Sequence, residues 1–211
     1  MNAEPLRRMG RPDQQASEDL VRRIVETAAR LFIEQGYAAT SIEQVAAGAG
    51  SGKQTIYRRF TSKEGLFTEV INQRGRRLLE IAESARTTHA EPIKALEECC
   101  RMLLDFVLQP DMISLHRVLV AEIMRFPSLG EYVLNNCLGP FKNHLNALLE
   151  AAVEAGQIHS DDLTLTHDLM TGLITGGPVQ QALLGRQLFA TPAERETYFN
   201  AAWALFLRGA R

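Results

Sequence analysis

Apolar residues recur every three to four positions along most of the chain, which is the spacing of helices that bury one face. The first long helix is predicted to begin at Ser17, whose side chain suits an N-cap, and to end at Gly36. No stretch alternates in the manner of a strand, so the pattern predicts an all-α fold of about nine helices. The apolar stripe of the first helix is expected to pack on the helices that follow, and it consists of Leu20, Ile24, Ala28, Leu31 and Phe32.

Two short helices joined by a glycine-containing turn are predicted within residues 40–63. Thr40 and Glu43 have the spacing of a capping box, which opens the first of them. Residues 48–50, Gly-Ala-Gly, end that helix, because glycine tolerates the left-handed backbone that many helix termini need. The segment therefore has the form of a helix, a tight turn and a second helix.

The second of these helices has two different faces. It opens at Ser51 with Gln54, or at Gly52 alone, and runs to Phe60. Ile56 and Phe60 fall on one side, which is expected to pack on a small core. The other side offers positive charge, amide and phenol groups to solvent, from Lys53, Gln54, Tyr57 and Arg58.

No acidic residue lies between Glu43 and Glu64. A basic and polar helix face suits the major groove of DNA, where Gln and Arg meet base edges while Lys, Thr and Tyr meet phosphates. A solvated helix in an ordinary bundle is the alternative from the charge pattern alone. The two capped helices and the tight turn favour DNA binding.

A phosphate-binding loop is a further alternative for Ala47–Thr55, AGAGSGKQT. The G-x-x-x-x-G-K-[ST] pattern fails at its first glycine, which is Ala47, and at its magnesium-binding hydroxyl, where Gln54 stands. The preceding segment also has helical spacing where that motif needs a strand. A nucleotide-binding enzyme is therefore only a distant alternative.

Several short motifs follow one another without a gap between Ile24 and Phe67. They are Ala28-Ala29 with Leu31-Phe32, Gly36-Tyr37, Thr40-Ser41-Ile42, Ala49-Gly50, Lys53, Thr55, Tyr57, Phe60, Ser62-Lys63-Glu64 and Leu66-Phe67. In this order they resemble the DNA-binding domain of the TetR/AcrR family of transcriptional regulators. Ser51-Gly52 and Gln54 depart from the usual pattern of that family. These departures affect the expected cap of the recognition helix and the expected operator sequence, but not the expected fold.

The resemblance implies roles for individual residues on DNA. Phosphate contacts fall to Thr40, Tyr57 and Lys63, and Lys53 lies near the backbone or a guanine. Base contacts fall to Gln54, Thr55 and Arg58. The complete set of DNA-binding candidates is Thr40, Ser41, Lys53, Gln54, Thr55, Tyr57, Arg58 and Lys63.

Three parts of the chain are predicted. Residues 1–16 are expected to be a disordered basic arm, in which Arg7, Arg8 and Arg11 either approach DNA or form a plain solvated tail. Residues 17–67 form the helix-turn-helix DNA-binding domain, and 68–211 form a larger helical domain for ligand binding and dimerisation. A predicted helix near residues 62–85 links the two domains, and the further helices of the larger domain are predicted near residues 92–108, 113–125, 128–138, 140–155, 161–174 and 193–207.

Prolines and arginines of the larger domain allow further expectations. Gly139-Pro140 is expected to start a new helix, and Gly176-Gly177-Pro178 to break or kink one, because proline lacks an N–H donor and clashes with the preceding turn. Arg74, Arg76 and Arg77 are interpreted as a solvated face.

The family resemblance also implies an effector pocket and a dimer interface in this domain. A high content of Met, Leu and Phe favours an apolar or aromatic effector. Candidate pocket residues are Met102, Phe106, His116, Val120, Met124, Phe141 and Met170. The last helix is apolar nearly all round, which indicates burial on two sides, and the candidate interface residues are Leu173, Val179, Leu183, Phe199, Trp203 and Phe206.

Charge and cysteine content agree with a regulator inside the cell. Residues 1–67 hold ten Lys/Arg against eight Asp/Glu, and the remainder thirteen against seventeen, so a basic part precedes an acidic one. The odd cysteine count, Cys99, Cys100 and Cys137, indicates reduced and buried thiols. No apolar run approaches a membrane span or a signal peptide, so a cytoplasmic protein without a membrane partner is expected.

No motif indicates catalysis, a metal or a cofactor, and none of these is predicted. The predicted function is a repressor that binds double-stranded operator DNA as a homodimer and is released by a small effector. A constitutive or activating regulator without an effector is the alternative within DNA binding.

Overall fold

The computed structural model describes residues 14–210, and every regular element in that range is helical. The all-α prediction is confirmed. The described range holds nine helices when a helix that continues through a π-helical turn is counted as one helix. They are α1 Gln14–Gln35, α2 Ile42–Gly48, α3 Lys53–Phe60, α4 Lys63–Thr88, α5 Pro92–Val107, α6 Pro110–Ile123, α7 (Pro127–Val133, Leu134–Leu138 and Gly139–Glu154), α8 (Leu163–Thr171, Gly172–Gly176 and Gly177–Leu183) and α9 Pro192–Gly209.

The chain divides into two compact units, of which the first ends at Val70 and the second begins at Ile71. Helix α4 is continuous through this point. The predicted division after residue 67 stays a prediction. Arg7, Arg8 and Arg11 of the predicted basic arm lie outside the described residues.

The first unit has an aromatic core under α2 and α3. The ring centroid of Phe67 lies 5.1 Å from the ring centroids of both Phe32 and Tyr37, in edge-to-face geometry. Ile56 is fully buried, as the face analysis of α3 predicts, and Gly36 ends α1 with φ +85°. Ser17 does not cap α1, because the helix already begins at Gln14; its hydroxyl instead meets the guanidinium of Arg59 on α3.

The predicted capping box of α2 is displaced by one residue. Ser41 is the N-cap and accepts a hydrogen bond from the Gln44 backbone N–H at 3.2 Å, while the Gln44 side chain accepts one from Ser41 N–H at 2.7 Å. Thr40 is buried, and its hydroxyl lies 3.1 Å from the Leu31 carbonyl and 2.9 Å from the Gly36 carbonyl. Thr40 therefore ties the end of α1 to the start of α2.

Two Gly-Pro pairs in the second unit do not break their helices. Each pair is preceded by one π-helical turn, Leu134–Leu138 in α7 and Gly172–Gly176 in α8, and the α-helix continues after it. At the first turn the Gly139 N–H bonds to the Leu134 carbonyl, five residues back. The wider turn makes room where a proline ring would clash with the preceding carbonyl. A continuous helix with a π-turn therefore replaces the helix start predicted at Gly139-Pro140. At Gly176-Gly177-Pro178 the predicted break does not occur, and the kink predicted as its alternative stays a prediction.

The candidate interface residues of the last helix lie in the core of the second unit. Phe199, Trp203 and Phe206 are 1%, 5% and 8% exposed. The rings of Phe199 and Trp203 stack with centroids 6.2 Å apart, and the Arg101 guanidinium lies 4.2 Å from the Phe199 ring centroid. These three aromatic residues fill the protein's own interior, so their assignment to a partner-facing surface is wrong.

His167 is expected to make the second unit less stable in acid. Its ring is buried, its Nδ1 has no hydrogen-bond partner among the described residues, and burial, with the nearby Lys142 charge, lowers its pKa from 6.5. Below about pH 6.5 the unfolded chain binds this proton and the folded chain resists it, so the free energy of unfolding falls as the pH falls. Urea titrations at pH 7.5 and pH 5.5 are expected to give a lower midpoint at the acidic pH.

The matched variants for this expectation are His167→Gln and His144→Gln, the second at an exposed position. His167→Gln should reduce the difference between the two urea midpoints, whatever its own stability, and His144→Gln should not. An unchanged difference in His167→Gln would assign the acid sensitivity to other groups.

Candidate DNA-binding surface and regulatory cavity

The exposed face of α3 carries the predicted DNA-contacting side chains. Lys53, Gln54, Tyr57 and Arg58 are exposed and Thr55 is half-buried. Ile56, on the opposite side, is fully buried and fixes the rotation of the helix. The sequence of α3, KQTIYRRF, contains no carboxylate, so the exposed face presents positive charge and hydrogen-bonding groups together.

One carboxylate nevertheless reaches this face from α2. Glu43 forms an ion pair with Lys53, and this contact lowers the pKa of Glu43 and raises the pKa of Lys53. The Lys53 ammonium also lies 5.7 Å from the centroid of the Tyr57 ring. In the absence of DNA, the first basic group of α3 is therefore held by an acidic neighbour.

Three other predicted residues serve the local structure. Thr40 uses its hydroxyl on two carbonyls inside the unit, so its phosphate contact, which would compete with these bonds if it used the hydroxyl, stays a prediction. Ser41 is the half-buried cap of α2. The Lys63 ammonium donates to the Ala38 carbonyl at 3.1 Å and lies 4.5 Å from the centroid of the Tyr37 ring. Lys63 thus has contacts that a phosphate would have to share or replace.

A phosphate-binding loop follows a strand, but a helix precedes the loop here. Residues 42–48 form helix α2, Ala49 caps it, and Gly50 turns the chain with φ +61°. Gly52 then serves as the N-cap of α3 without a side-chain hydrogen bond. Ala47–Thr55 therefore joins two helices, which is the geometry of a helix-turn-helix.

The second unit contains a cavity of ≈ 420 Å³. This volume lies within the range of sites for small organic ligands. Both π-turns contribute to its wall, through Cys137 and Leu138 in α7 and through Thr175 and Gly176 in α8. The complete lining is Ile71, Arg74, Gly75, Leu78, Phe106, Val107, Met112, Leu115, His116, Leu119, Val133, Cys137, Leu138, Thr175, Gly176, Val179, Gln180 and Leu183.

Few polar groups interrupt the apolar lining. Arg74 forms an ion pair with Asp111 at 2.8 Å, while its buried Nε has no hydrogen-bond partner among the described residues. Partial burial lowers the pKa of His116, which favours its neutral form. The Thr175 hydroxyl donates to the Thr171 carbonyl at 2.8 Å, and the Cys137 thiol lies 3.8 Å from the Ile71 carbonyl.

Only two of the seven predicted pocket residues, Phe106 and His116, line this cavity. Val120 and Met124 are 53% and 86% exposed, whereas Phe141 and Met170 are core residues and Met102 packs against that core. Apolar positions every three to four residues identify the buried face of a helix. They do not show which of the buried residues line a cavity. Val179 and Leu183, predicted at the dimer interface, also line the cavity.

Arg74 is the main polar group that the sequence interpretation missed. The sequence pattern groups it with Arg76 and Arg77 as a solvated face, but Arg76 and Arg77 are exposed while Arg74 is half-buried. A signal was available in the sequence, because Ile71, Arg74, Gly75 and Leu78 share one face of α4 at spacings of three and four.

A different set of apolar side chains remains exposed on α8 and α9. Leu165, Leu169 and Leu205 are 55%, 64% and 52% exposed, and Leu184, after the end of α8, is 81% exposed. Gly172 and Gly176, in the π-turn of α8, are also exposed. The predicted interface residue Leu173 is half-buried and packs against the core.

The described residues contain no group of three or more His, Cys, Asp or Glu side chains placed to hold a metal ion. Cys99, Cys100 and Cys137 are buried and free, and burial raises the pKa of Cys99 to about 12. The buried thiols agree with the sequence prediction. None of the helices within residues 14–210 has the length and apolar character that crossing a bilayer requires.

Both units match known regulator families. Residues 94–209, more than half of the chain, match the family described as AefR-like transcriptional repressor, C-terminal domain. Residues 24–70 match the family described as bacterial regulatory proteins, tetR family. Over 209 residues the chain is 25% identical to the HTH-type transcriptional regulator AcrR of Shigella flexneri, with 94% of each protein covered.

Solved structures share the same architecture. A TetR-family transcriptional regulator from Mesorhizobium loti matches with a TM-score of 0.81 at 27% identity, covering 92% of this chain and 97% of that one. The flavonoid-responsive regulator FrrA matches with a TM-score of 0.69 at 26% identity, covering 92% and 98%. The chain therefore belongs to the TetR/AcrR family of transcriptional regulators.

Proposed function

We propose that the protein is a repressor that binds an inverted-repeat operator as a homodimer and leaves it when a small, largely apolar effector fills the cavity of the second unit. The observation that carries the proposal is the cavity of ≈ 420 Å³ with its mostly apolar wall. A DNA-binding protein without an effector needs no such space, because protein interiors are close-packed. A family match described as a transcriptional repressor supports the sign of regulation.

On DNA, the exposed face of α3 enters the major groove. Gln54 and Arg58 contact base edges, and Tyr57 and Lys53 contact phosphates or lie beside them. Lys63 adds a phosphate contact at the start of α4. Arg58→Ala is expected to change base preference, whereas Lys63→Ala should weaken all duplexes alike and lower their salt dependence.

The Glu43–Lys53 ion pair opposes DNA binding in this proposal. Glu43→Gln removes the carboxylate that competes with phosphate for Lys53 and keeps the length of the side chain. We expect operator binding at low salt to strengthen by about two- to fivefold, the range of an exposed ion pair. Fluorescence anisotropy on a labelled duplex over a salt series measures this change.

The matched control is Glu34→Gln on α1. Glu34 pairs with Arg30 at 2.9 Å, also in the first unit, so the variant has the same net charge as Glu43→Gln. Glu34→Gln is expected to change affinity less. If both variants strengthen binding equally, overall charge rather than the release of Lys53 is responsible.

The homodimer forms through the exposed apolar face of α8 and α9, centred on Leu165, Leu169 and Leu205. A face of this kind is uncommon on a monomer and marks an interaction surface. A two-fold interface also fits an inverted repeat, since two recognition helices must enter major grooves about 34 Å apart. This interface replaces the one predicted around Trp203.

Helix α4 transmits the effector signal. It begins at Lys63 and contributes Ile71, Arg74, Gly75 and Leu78 to the cavity wall. An effector that favours another position of α4 shifts the population away from the DNA-competent state. FrrA is a flavonoid-responsive regulator, which supports an aromatic effector of the size that this cavity accepts.

The first experiment is footprinting of the purified protein on DNA upstream of its own gene, followed by a screen for compounds that release it. Protection of an inverted repeat, lost on adding an apolar compound, is the expected result. Protection that no compound relieves, while transcription rises, would instead favour an activating or constitutive regulator.

A further inference from the structure

The largely apolar wall of the cavity contains one arginine, which pairs with a carboxylate outside the lining. Arg74 lines the cavity, and its guanidinium meets the Asp111 carboxylate at 2.8 Å. The charge of the only arginine or lysine in the lining is therefore already balanced. His116, the remaining ionisable base in the lining, is kept toward its neutral form by burial.

One donor of this pair is left without a partner. The Nε of Arg74 is buried and makes no hydrogen bond with any described residue, and an unpaired buried donor is costly. Two other polar lining groups have partners inside the protein: the Thr175 hydroxyl donates to Thr171, and the Cys137 thiol meets the Ile71 carbonyl. Among the described lining residues, Arg74 is thus the one with a buried side-chain polar atom that lacks a partner, and a ligand acceptor would satisfy it.

Because Asp111 already balances the charge of Arg74, a neutral ligand acceptor is favoured over an anionic one. A ligand carboxylate beside Arg74 would share one cation with Asp111, which already pairs with it from outside the lining. The ligand charge would then be buried in a largely apolar space without full compensation, which is expensive. A carbonyl or ether oxygen satisfies the same N–H without that cost. Apolar side chains such as Phe106, Met112 and Leu115 then surround the rest of the molecule.

We infer that the effector is a neutral, predominantly apolar molecule whose carbonyl-type oxygen accepts a hydrogen bond from Arg74 Nε, and that Asp111 excludes carboxylate analogues. This inference deepens the proposed function and rests on it, since the cavity is taken as the effector site. At protein-like packing density, a cavity of this size holds a molecule of about 300 Å³.

Three probes of similar shape separate the possibilities. Benzophenone has a neutral carbonyl, diphenylmethane has no acceptor, and diphenylacetate carries a carboxylate. Equilibrium dialysis with the full-length protein, in the absence of DNA, is expected to show benzophenone binding at least about tenfold more tightly than either of the others, the scale of a hydrogen bond to a charged donor.

Two variants test the atoms involved. Arg74→Lys keeps the positive charge for Asp111 but removes the Nε donor, so benzophenone should lose its advantage over diphenylmethane. Asp111→Asn removes the competing anion, so diphenylacetate should bind about tenfold more tightly than it does to the wild type. Arg77→Lys, at an exposed position on the same helix that pairs with Glu80, should change neither ratio.

Each opposite result overturns the inference. These are tighter binding of diphenylacetate than of benzophenone to the wild type, equal binding of the two neutral probes, no binding of any probe, or an unchanged ratio in Arg74→Lys with a normal circular dichroism spectrum. Operator binding by the ligand-free protein is measured separately, and its absence would refute the proposed function without altering the probe results.

Discussion

Replacing Leu169 by Glu is expected to convert the protein from a dimer to a monomer and to weaken operator binding by a hundredfold or more. Leu169 is 64% exposed on α8, so a carboxylate there costs little in the isolated chain. Across a two-fold interface, the two introduced charges would be buried close to each other without partners. A monomer binds one half-site and loses the gain from two linked contacts, which typically amounts to 10²–10⁴.

Light scattering at micromolar concentration measures the mass, and anisotropy on the operator measures the affinity. Leu134→Glu is the matched control, since Leu134 is 62% exposed on α7, outside the proposed interface. It should remain dimeric. A dimeric Leu169→Glu protein with normal operator affinity would show that the exposed leucines of α8 are not the interface.

Truncating a core aromatic residue would have a different effect. Trp203 is 5% exposed and packs between Phe199 and Phe206, and truncating a residue of this type to Ala costs about 3–5 kcal/mol of stability. Trp203→Ala should therefore lower the thermal midpoint rather than simply dissociate the dimer. The contrast with Leu169 distinguishes a packing defect from an interface defect.

Local sequence patterns were sufficient for the first unit. The apolar stripe of α1, the glycine at its end and the two faces of α3 depend on neighbours a few residues apart, and periodicity detects them directly. The cap of α2 was misplaced by one residue because Thr40 and Ser41 both have suitable side chains. Only the tertiary contacts to the Leu31 and Gly36 carbonyls decide which hydroxyl is used inside the unit.

The second unit was less predictable because its features depend on packing between distant segments. When a helix is apolar nearly all round, its sequence does not show which side packs on the chain's own core. The pattern therefore predicts Phe199 and Phe206 at an interface and misses the exposed Leu205. The π-turns before Pro140 and Pro178 are equally invisible to a rule that treats proline as a helix breaker. The cavity is the space left between side chains of several helices, and the spacing of apolar residues along one helix does not predict it.

Filling the cavity by mutation is expected to mimic the effector. Val179 lies on α8, is half-buried, and lines the cavity. In Val179→Trp, the larger side chain occupies part of the ≈ 420 Å³ and presses on the facing wall, to which α4 contributes Arg74 and Leu78. If occupancy of the cavity releases DNA, operator affinity should fall by up to about a hundredfold, which corresponds to about 2.7 kcal/mol of coupling, within the usual range of allostery.

Val179→Ala is the control at the same position. It enlarges the cavity, so it should lower stability without reducing operator affinity. Val179→Trp should also bind benzophenone more weakly, because the space is taken, while its mass in light scattering stays that of a dimer. A Val179→Trp protein that excludes benzophenone but binds the operator as the wild type does would separate the cavity from the DNA response. Regulation would then have to act elsewhere on the protein, since the coupling between two sites is reciprocal and cannot be absent in one direction alone.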